Sequence, residues 1–202
     1  RRTMVATPNL KSELENRGFR NLALWTRGVD TEIFRPGSKD FLPDDRPILM
    51  YVGRVAVEKN IEEFLRIDFP GTKYVIGGGP LLTDLQKKYP SVIFPGCIKG
   101  VELARHMAAA DVFVFPSLTD TFGVVMLEAN ACGLPVAAHP VPGPGNVVIH
   151  GKTGWLSDDL RDTIHHALKI EPESCIAYAR RFSWEKCTEE FLANLAVPAR
   201  QG

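Results

Sequence analysis

One stretch, residues 112–133, predicts a buried strand, a polar loop and a helix in succession, and this order constrains the fold most strongly. Residues 112–115 are all apolar, which is typical of a strand covered on both faces. After Gly123 the apolar residues recur at helical spacing. One carboxylate, Asp120, therefore lies just beyond the carboxyl end of a strand, and another, Glu128, lies in the second turn of the next helix.

Strands and helices alternate along the rest of the chain as well. Short apolar strands are predicted at 3–7, 21–25, 47–54, 73–76, 92–94 and 135–138. Helices are predicted at 8–17, from 61 onward, and at 81–89, 100–110, 158–169, 173–181 and 184–196. This alternation predicts an α/β fold with a Rossmann-like parallel sheet and helices on both faces.

Three further expectations concern individual segments. In helix 100–110, Val101 is predicted to face the core with Ala104 and Ala108, and His106 is expected at the surface. The segment 139–146 contains three prolines and two glycines, and we expect a turn-rich loop that cannot be helical.

The composition narrows the class of protein. The chain carries 24 basic and 24 acidic residues, so no excess charge indicates a nucleic-acid partner. No apolar run approaches the roughly 20 residues that a membrane-spanning helix needs. The four cysteines show no paired spacing, and we expect free core thiols in a reducing, cytoplasmic environment.

Residues suited to an anionic ligand follow the predicted strand 47–54. Gly53 lets a ligand approach the backbone, while Arg54 and Lys59 bring two positive charges to the edge of the sheet where Asp120 lies. The glycines at 77–79 do not form a Gly-x-Gly-x-x-Gly or Walker A pattern, because Leu82 stands where the third glycine belongs. Dehydrogenase and P-loop functions therefore lose their main support.

The spacing Asp120-x7-Glu128, with Phe122 and Gly123 inside it, resembles the Glu-x7-Glu motif of the GT-B glycosyltransferases of family 4. The first carboxylate is Asp here, where that family usually has Glu. The pattern Gly53-Arg54-x4-Lys59-Asn resembles the pyrophosphate clamp of the same family. The resemblance runs from Gly53 to about residue 154 and implies one half of a GT-B architecture.

The resemblance also implies a domain division. Gly28-Val29-Asp30 with Phe34 resembles the linker between the two GT-B domains, although an ordinary strand and turn remains open. Residues 1–36 would then be the linker and the remnant of a preceding domain, and residues 37–202 the C-terminal donor-binding domain. Because the chain starts at Arg1 rather than Met, we expect a fragment of a longer protein.

The resemblance assigns roles to particular residues. Arg54, Lys59 and the amides of Gly123 and Val124 would hold the diphosphate of a nucleotide-sugar donor, with Gly53 beside it. Glu128 would accept ribose hydroxyls, and Asp120 would hold the transferred sugar together with the Thr121 and Phe122 amides. Ile98 and Lys99 are candidates for the nucleobase loop, whereas Gly78 fits either nucleotide contact or a plain turn. Catalysis would rest on Asp120, Lys59 and Arg54.

The implied reaction is transfer of a sugar, with retention of configuration, from a UDP- or GDP-type donor. No cofactor and no metal are expected. The acceptor, whether lipid, saccharide or small molecule, would bind largely to a missing N-terminal domain, and membrane association of the longer protein stays open. A binding module without transfer chemistry and a GT-B-type epimerase are the alternatives. A glycosidase fits less well, because one carboxylate of the pair lies within a helix.

The chain departs from the family pattern in one loop. Where the family often has Gly-Gly-x-x-Glu, prolines interrupt the glycine pair, and Asn146 takes the position of the Glu. A role for that Glu therefore does not carry over. His139 in the same loop is interpreted as a loop residue without function rather than as a sugar contact.

Overall fold

The computed structural model describes residues 2–120 and 122–195 of the chain. The strands in these residues are β1 (Thr3–Val5), β2 (Leu22–Leu24), β3 (Ile48–Val52), β4 (Thr72–Ile76), β5 (Ile93–Gly96), β6 (Val112–Phe115), β7 (Val136–Ala138) and β8 (Gly154–Leu156). The helices are α1 (Pro8–Asn16), α2 (Ile61–Arg66), α3 (Leu82–Lys88), α4 (Gly100–Ala109), α5 (Val124–Ala131), α6 (Pro142–Val147), α7 (Leu160–Ala167), α8 (Pro172–Ala179) and α9 (Trp184–Asn194).

Six strands form one sheet in the order β5-β4-β3-β6-β7-β8, and every pair in it is parallel. Counted from the first strand of this sheet, the order is 3-2-1-4-5-6, which is the order of dinucleotide-binding folds. The predicted Rossmann-like sheet is therefore confirmed. From β3 the chain adds strands on one side of the sheet, and from β6 it adds them on the other side. In such sheets a crevice forms above the ends of the two strands where the order changes direction.

Helices cover both faces of the sheet, as predicted. Alternate residues of one strand point to opposite sides, so that Met50 packs with α4, α5 and α8 while Leu49 and Tyr51 pack with α2, α3 and α7. The central strands β3 and β6 are buried along their whole length. This double burial explains why both strands consist entirely of large apolar residues.

The N-terminal segment forms a separate, two-stranded parallel sheet from β1 and β2. The last helix, α9, packs back onto this segment. The indole Nε1 of Trp25 donates to the Cys187 carbonyl oxygen at 3.1 Å, and the Thr26 hydroxyl donates to Glu190 at 2.7 Å. The domain boundary after residue 36 remains a prediction.

Three expectations from the sequence are wrong. The proline-rich segment after β7 contains α6, because Pro142 and Pro144 both lie in its first turn, where backbone N–H groups have no partner inside a helix. Val101 is 64% exposed, since it lies at the start of α4 before the helix meets the sheet. His106 is buried between Phe41 and Tyr74, and its Nδ1 lies 2.8 Å from the Glu102 carbonyl oxygen.

Three of the four cysteines are buried free thiols, as expected, but Cys97 is exposed in the loop after β5. A bilayer-spanning helix needs about 20 apolar residues. Across residues 2–120 and 122–195, no helix combines sufficient length and apolarity.

The loops that follow β3 and β4 contact each other backbone to backbone. The amide of Gly53 donates to the Ile76 carbonyl oxygen at 3.0 Å, and the amide of Val55 donates to Gly78 at 2.9 Å. A Cβ atom on Gly77 would lie 1.9 Å from the Gly53 oxygen, and the φ of Gly77 is 144°. A glycine is therefore required at position 77 to bring the two loops together.

We expect Gly77→Ala to destabilise the fold. The backbone conformation alone costs an alanine about 1–3 kcal/mol, and the overlap with the Gly53 oxygen adds to that cost. Urea unfolding followed by circular dichroism measures the change. Gly145→Ala is the matched control: its Cβ would meet nothing within 4 Å, and alanine favours the α6 helix by roughly 0.5–1 kcal/mol. Equal stability of Gly77→Ala and the wild type would contradict the packing argument.

Candidate functional site

The candidate site lies at the crevice between β3 and β6. These strands pair in parallel, with Leu49 opposite Val112, so the loops that follow them leave the same edge of the sheet side by side. The first loop carries Gly53, Arg54 and Lys59, and the second carries Asp120. The sheet thus brings together two loops whose residues Lys59 and Asp120 are 61 positions apart in sequence.

An ion pair joins the two loops. The Lys59 ammonium nitrogen lies 2.8 Å from Asp120 Oδ2, with side-chain exposures of 23% and 17%. Lys59 ends a 3₁₀ turn, Val57–Lys59, and Asp120 lies in the loop ahead of α5. The predicted proximity of these two residues is thus seen in the structure. An ammonium group has three N–H donors, so Lys59 can hold Asp120 and an anionic ligand simultaneously.

Arg54 takes a different position from Lys59. Its side chain is 65% exposed, and its guanidinium lies 3.1 Å from Glu58, a residue that the sequence did not single out. The four-residue spacing of Arg54 and Glu58 was the available signal for this pair. Beneath them, the Tyr51 hydroxyl donates to the Arg54 carbonyl oxygen at 2.9 Å. Burial raises the pKa of Tyr51, and the nearby carboxylates of Asp120 and Glu58 raise it further.

A cleft of about 260 Å³ opens beside the loop that carries Arg54. It brings together five predicted residues and several neighbours: Gly53, Arg54, Gly78, Ile98 and Lys99, with Val52, Ile76, Gly77 and Cys97. A Cβ on Gly78 would lie 2.9 Å from the Cys97 sulfur, so glycine at this position keeps the cleft open. Cys97 was missed because an isolated cysteine without a partner pattern was interpreted as a core residue.

The α5 helix begins beside Asp120. Gly123 precedes it with φ 76°, in the left-handed region that favours glycine, and the Phe122 side chain is buried in the core. The first backbone N–H groups of a helix have no intrahelical partners and attract anions. The predicted role of Thr121 lies outside the described residues.

Glu128 lies one turn into α5 and is half-buried. Burial raises the pKa of its carboxyl. Its negative charge in turn contributes to the raised pKa of Cys132, which burial brings to about 12. A carboxylate that is partly shielded from water is a strong acceptor for ligand hydroxyl groups, because fewer water molecules compete for its oxygens.

The α6 helix covers Asp120 from the other side. A Cβ on Gly143 would lie 2.9 Å from the Asp120 Cβ atom and 3.0 Å from the Asp120 carbonyl oxygen, so only glycine allows this approach. The Asn146 amide donates back to the Pro142 carbonyl oxygen within α6. Leu118, Thr119, Asp120 and Pro142 line an open cleft of about 500 Å³.

His139 lies in a loop, as expected, but its side chain is buried. It directly follows β7, is 5% exposed, and its Nε2 lies 3.0 Å from Glu63 Oε2. Within residues 2–120 and 122–195, no three His, Cys, Asp or Glu side chains are grouped so that they could hold a metal ion.

The chain is similar to known glycosyltransferases. The family model described as "Glycosyl transferases group 1" matches residues 46–170. The GDP-mannose-dependent alpha-mannosyltransferase of Mycobacterium tuberculosis is 30% identical over 210 residues, covering 96% of this chain and 56% of that protein. The sulfoquinovosyl transferase of Arabidopsis thaliana is 32% identical over 191 residues, covering 87% of this chain and 36% of that protein.

A solved structure shows the same arrangement of elements. The sucrose-phosphate synthase from Thermosynechococcus elongatus superposes with a TM-score of 0.82 at 26% identity, covering 94% of this chain and 56% of that one. The chain thus spans about half or less of the length of these relatives.

The raised pKa of Glu128 predicts how the stability of the fold depends on pH. Because its pKa is raised in the folded state, its contribution to stability is complete below the unfolded-state pKa, for which 4.5 is the reference value, and is lost as the pH rises through the raised pKa. We therefore expect the free energy of unfolding of Glu128→Gln to increase, relative to that of the wild type, as the pH rises from about 4 to about 8. Urea unfolding at both pH values measures this gain. Glu189→Gln, at an exposed site on α9, is the control, and an identical pH response of both variants would contradict the prediction.

Proposed function

This chain belongs to the family of group 1 glycosyl transferases, and from that membership we propose that it binds the nucleotide-sugar donor of a retaining glycosyltransferase. The observation that carries the proposal is the Lys59–Asp120 ion pair at the crevice between β3 and β6. A cleft on the Gly53 side suits a nucleoside, and the cleft that contains Asp120 suits a sugar. The mannosyltransferase named above, which depends on GDP-mannose, supports a donor of this class.

We assign the diphosphate to the space between Lys59 and the start of α5. The Lys59 ammonium and the amides at Gly123 and Val124 would hold its oxygens, and the exposed Arg54 would close over it by exchanging Glu58 for phosphate. Glu128 would accept the ribose hydroxyls. Asp120 would accept hydroxyls of the transferred sugar, with Gly143 leaving room beside it.

In the proposed reaction, the bond between the anomeric carbon and the diphosphate oxygen breaks. The acceptor hydroxyl oxygen bonds to that carbon on the same face, and its proton passes to the leaving phosphate. Negative charge develops on the departing diphosphate, where Lys59 and the α5 amides stabilise it. These positive groups are part of the protein, and we expect EDTA to leave donor binding unchanged.

We expect Lys59→Ala to weaken binding of both inorganic pyrophosphate and a nucleoside diphosphate. A lost charge-assisted hydrogen bond is worth roughly 1.5–3 kcal/mol, or about 10- to 150-fold in affinity. Glu128→Gln is expected to weaken only the nucleoside diphosphate, because pyrophosphate has no ribose. Isothermal titration calorimetry measures both ligands.

Lys152→Ala is the matched control for Lys59→Ala, since it removes an exposed lysine from the turn before β8. Unchanged pyrophosphate affinity in a folded Lys59→Ala variant would contradict the clamp. Equal losses for both ligands in Glu128→Gln would contradict the ribose contact.

We expect the 202-residue chain to bind the donor without transferring its sugar, while the longer protein transfers it with retention. The acceptor would bind largely outside this chain, and orientation of the reacting hydroxyl is worth roughly 7–11 kcal/mol. Product analysis by NMR with donor and candidate acceptors measures transfer and anomeric configuration. Efficient transfer by the chain alone, or an inverted product, would contradict the proposal. Donor turnover to an epimer would favour the epimerase alternative.

A further inference from the structure

A group of hydrogen-bonded side chains joins the three loops of the site from below. It consists of Asn60, Glu63 and His139, which we call the loop-joining group. Asn60 follows β3, His139 follows β7, and Glu63 lies in the first turn of α2. The loop that follows β6 and carries Asp120 is contacted at the Pro116 carbonyl oxygen, which accepts a hydrogen bond from this group.

Asn60 ties the Lys59 loop to the Asp120 loop. Its backbone is left-handed, with φ 51° and ψ 30°, an arrangement that costs asparagine less than most residues. Its side-chain amide makes no cap to α2. Instead, the amide donates to the Pro116 carbonyl oxygen at 3.2 Å and to Glu63 Oε2. The residue next to Lys59 is thereby attached to the strand end that leads to Asp120.

Glu63 holds Asn60 and His139 together. The same oxygen, Oε2, accepts from the Asn60 amide and lies 3.0 Å from His139 Nε2. A carboxylate is acceptor-only, so this contact places the ring proton on Nε2. The His139 side chain is 7% exposed and that of Glu63 is 35% exposed. The ring is therefore fixed by packing, and Glu63 is fixed by two donors.

His139 extends the group along the loop that follows β7. Its carbonyl oxygen accepts from the Val141 amide at 2.8 Å, immediately ahead of α6. In that helix, Gly143 packs against Asp120. Both residues of the Lys59–Asp120 pair are thus connected to Glu63 through neighbouring backbone.

We propose that Glu63 is a positioning residue that sets the geometry of Lys59 and Asp120 for a diphosphate ligand, an inference that rests on the proposed donor site. Glu63 would act through Asn60 and His139 and would not touch the ligand. The sign of its charge makes the idea testable. Removal of a carboxylate near an anion site strengthens anion binding if charge alone matters. Removal of a positioning group weakens it.

The experiment measures inorganic pyrophosphate affinity by calorimetry in the complete chain. Glu63→Ala is expected to weaken binding roughly tenfold, within the range for residues coupled through one hydrogen-bond network. Glu63→Gln, which keeps an acceptor oxygen for Asn60, is expected to recover most of that loss. Glu62→Ala is the matched control, because it removes the same charge from the same helix. Glu62 contacts Arg66 in α2 and Lys88 in α3, and within residues 2–120 and 122–195 no hydrogen bond joins it to Asn60 or His139.

A second variant tests whether Glu63 acts through Lys59. In the Lys59→Ala background, Glu63→Ala is expected to cause no further loss of pyrophosphate affinity. Unchanged or tighter binding in folded Glu63→Ala, while Lys59→Ala loses affinity, would overturn the positioning role and leave the donor site standing. An additive loss in the double variant would overturn it as well.

A third measurement needs no ligand. Acetic anhydride acylates lysine amines, and mass spectrometry gives the rate at each one. We expect Lys59 to be acylated several-fold faster in Glu63→Ala than in the wild type, because its ion pair with Asp120 is loosened, while Lys152 keeps its rate. Equal rates at Lys59 would overturn the positioning role. If the wild type bound no pyrophosphate, the donor site would fail, and the acylation rates would still decide whether Glu63 positions Lys59.

Discussion

The parallel pairing of β3 with β6 is the contact on which the site depends. The two strands are distant in sequence, yet their pairing places Leu49 opposite Val112 and makes their following loops neighbours. Because β4 and β5 continue the sheet to one side and β7 and β8 to the other, the connections that leave β3 and β6 run in opposite directions from this point. The crevice is therefore a consequence of strand order.

The charges at this crevice are arranged in pairs. Lys59 contacts Asp120 and Arg54 contacts Glu58, so a carboxylate balances the positive charge of each of these two residues. An anion that binds there must share or replace existing carboxylate partners. Affinity then depends on how well Lys59 and the start of α5 are placed, more than on the number of positive charges.

Glycines allow the loops of the site to meet. Gly77 touches the Gly53 carbonyl oxygen, and Gly143 touches Asp120, each at a distance that a side chain would prevent. Gly143 lies in α6, so this helix can pack against Asp120 only because position 143 has no side chain. The prolines of α6 lie in its first turn. Because no side chains project at these glycines, the loops after β3, β6 and β7 can meet and still leave room for a ligand.

The local sequence was enough to predict a parallel sheet, its coverage by helices on both faces and the residues at its edge. Fully apolar strands such as 112–115 and the change to helical spacing after Gly123 are local signals, and so are Gly53, Arg54, Lys59 and the Asp120–Glu128 spacing. The pairing of these residues depends on the tertiary structure. The Lys59–Asp120 contact, the buried state of His139 and His106, the exposure of Cys97 and the helical form of α6 all depend on atoms contributed by distant segments. Local sequence cannot record such contacts, because strand order and the packing it creates determine which segments meet.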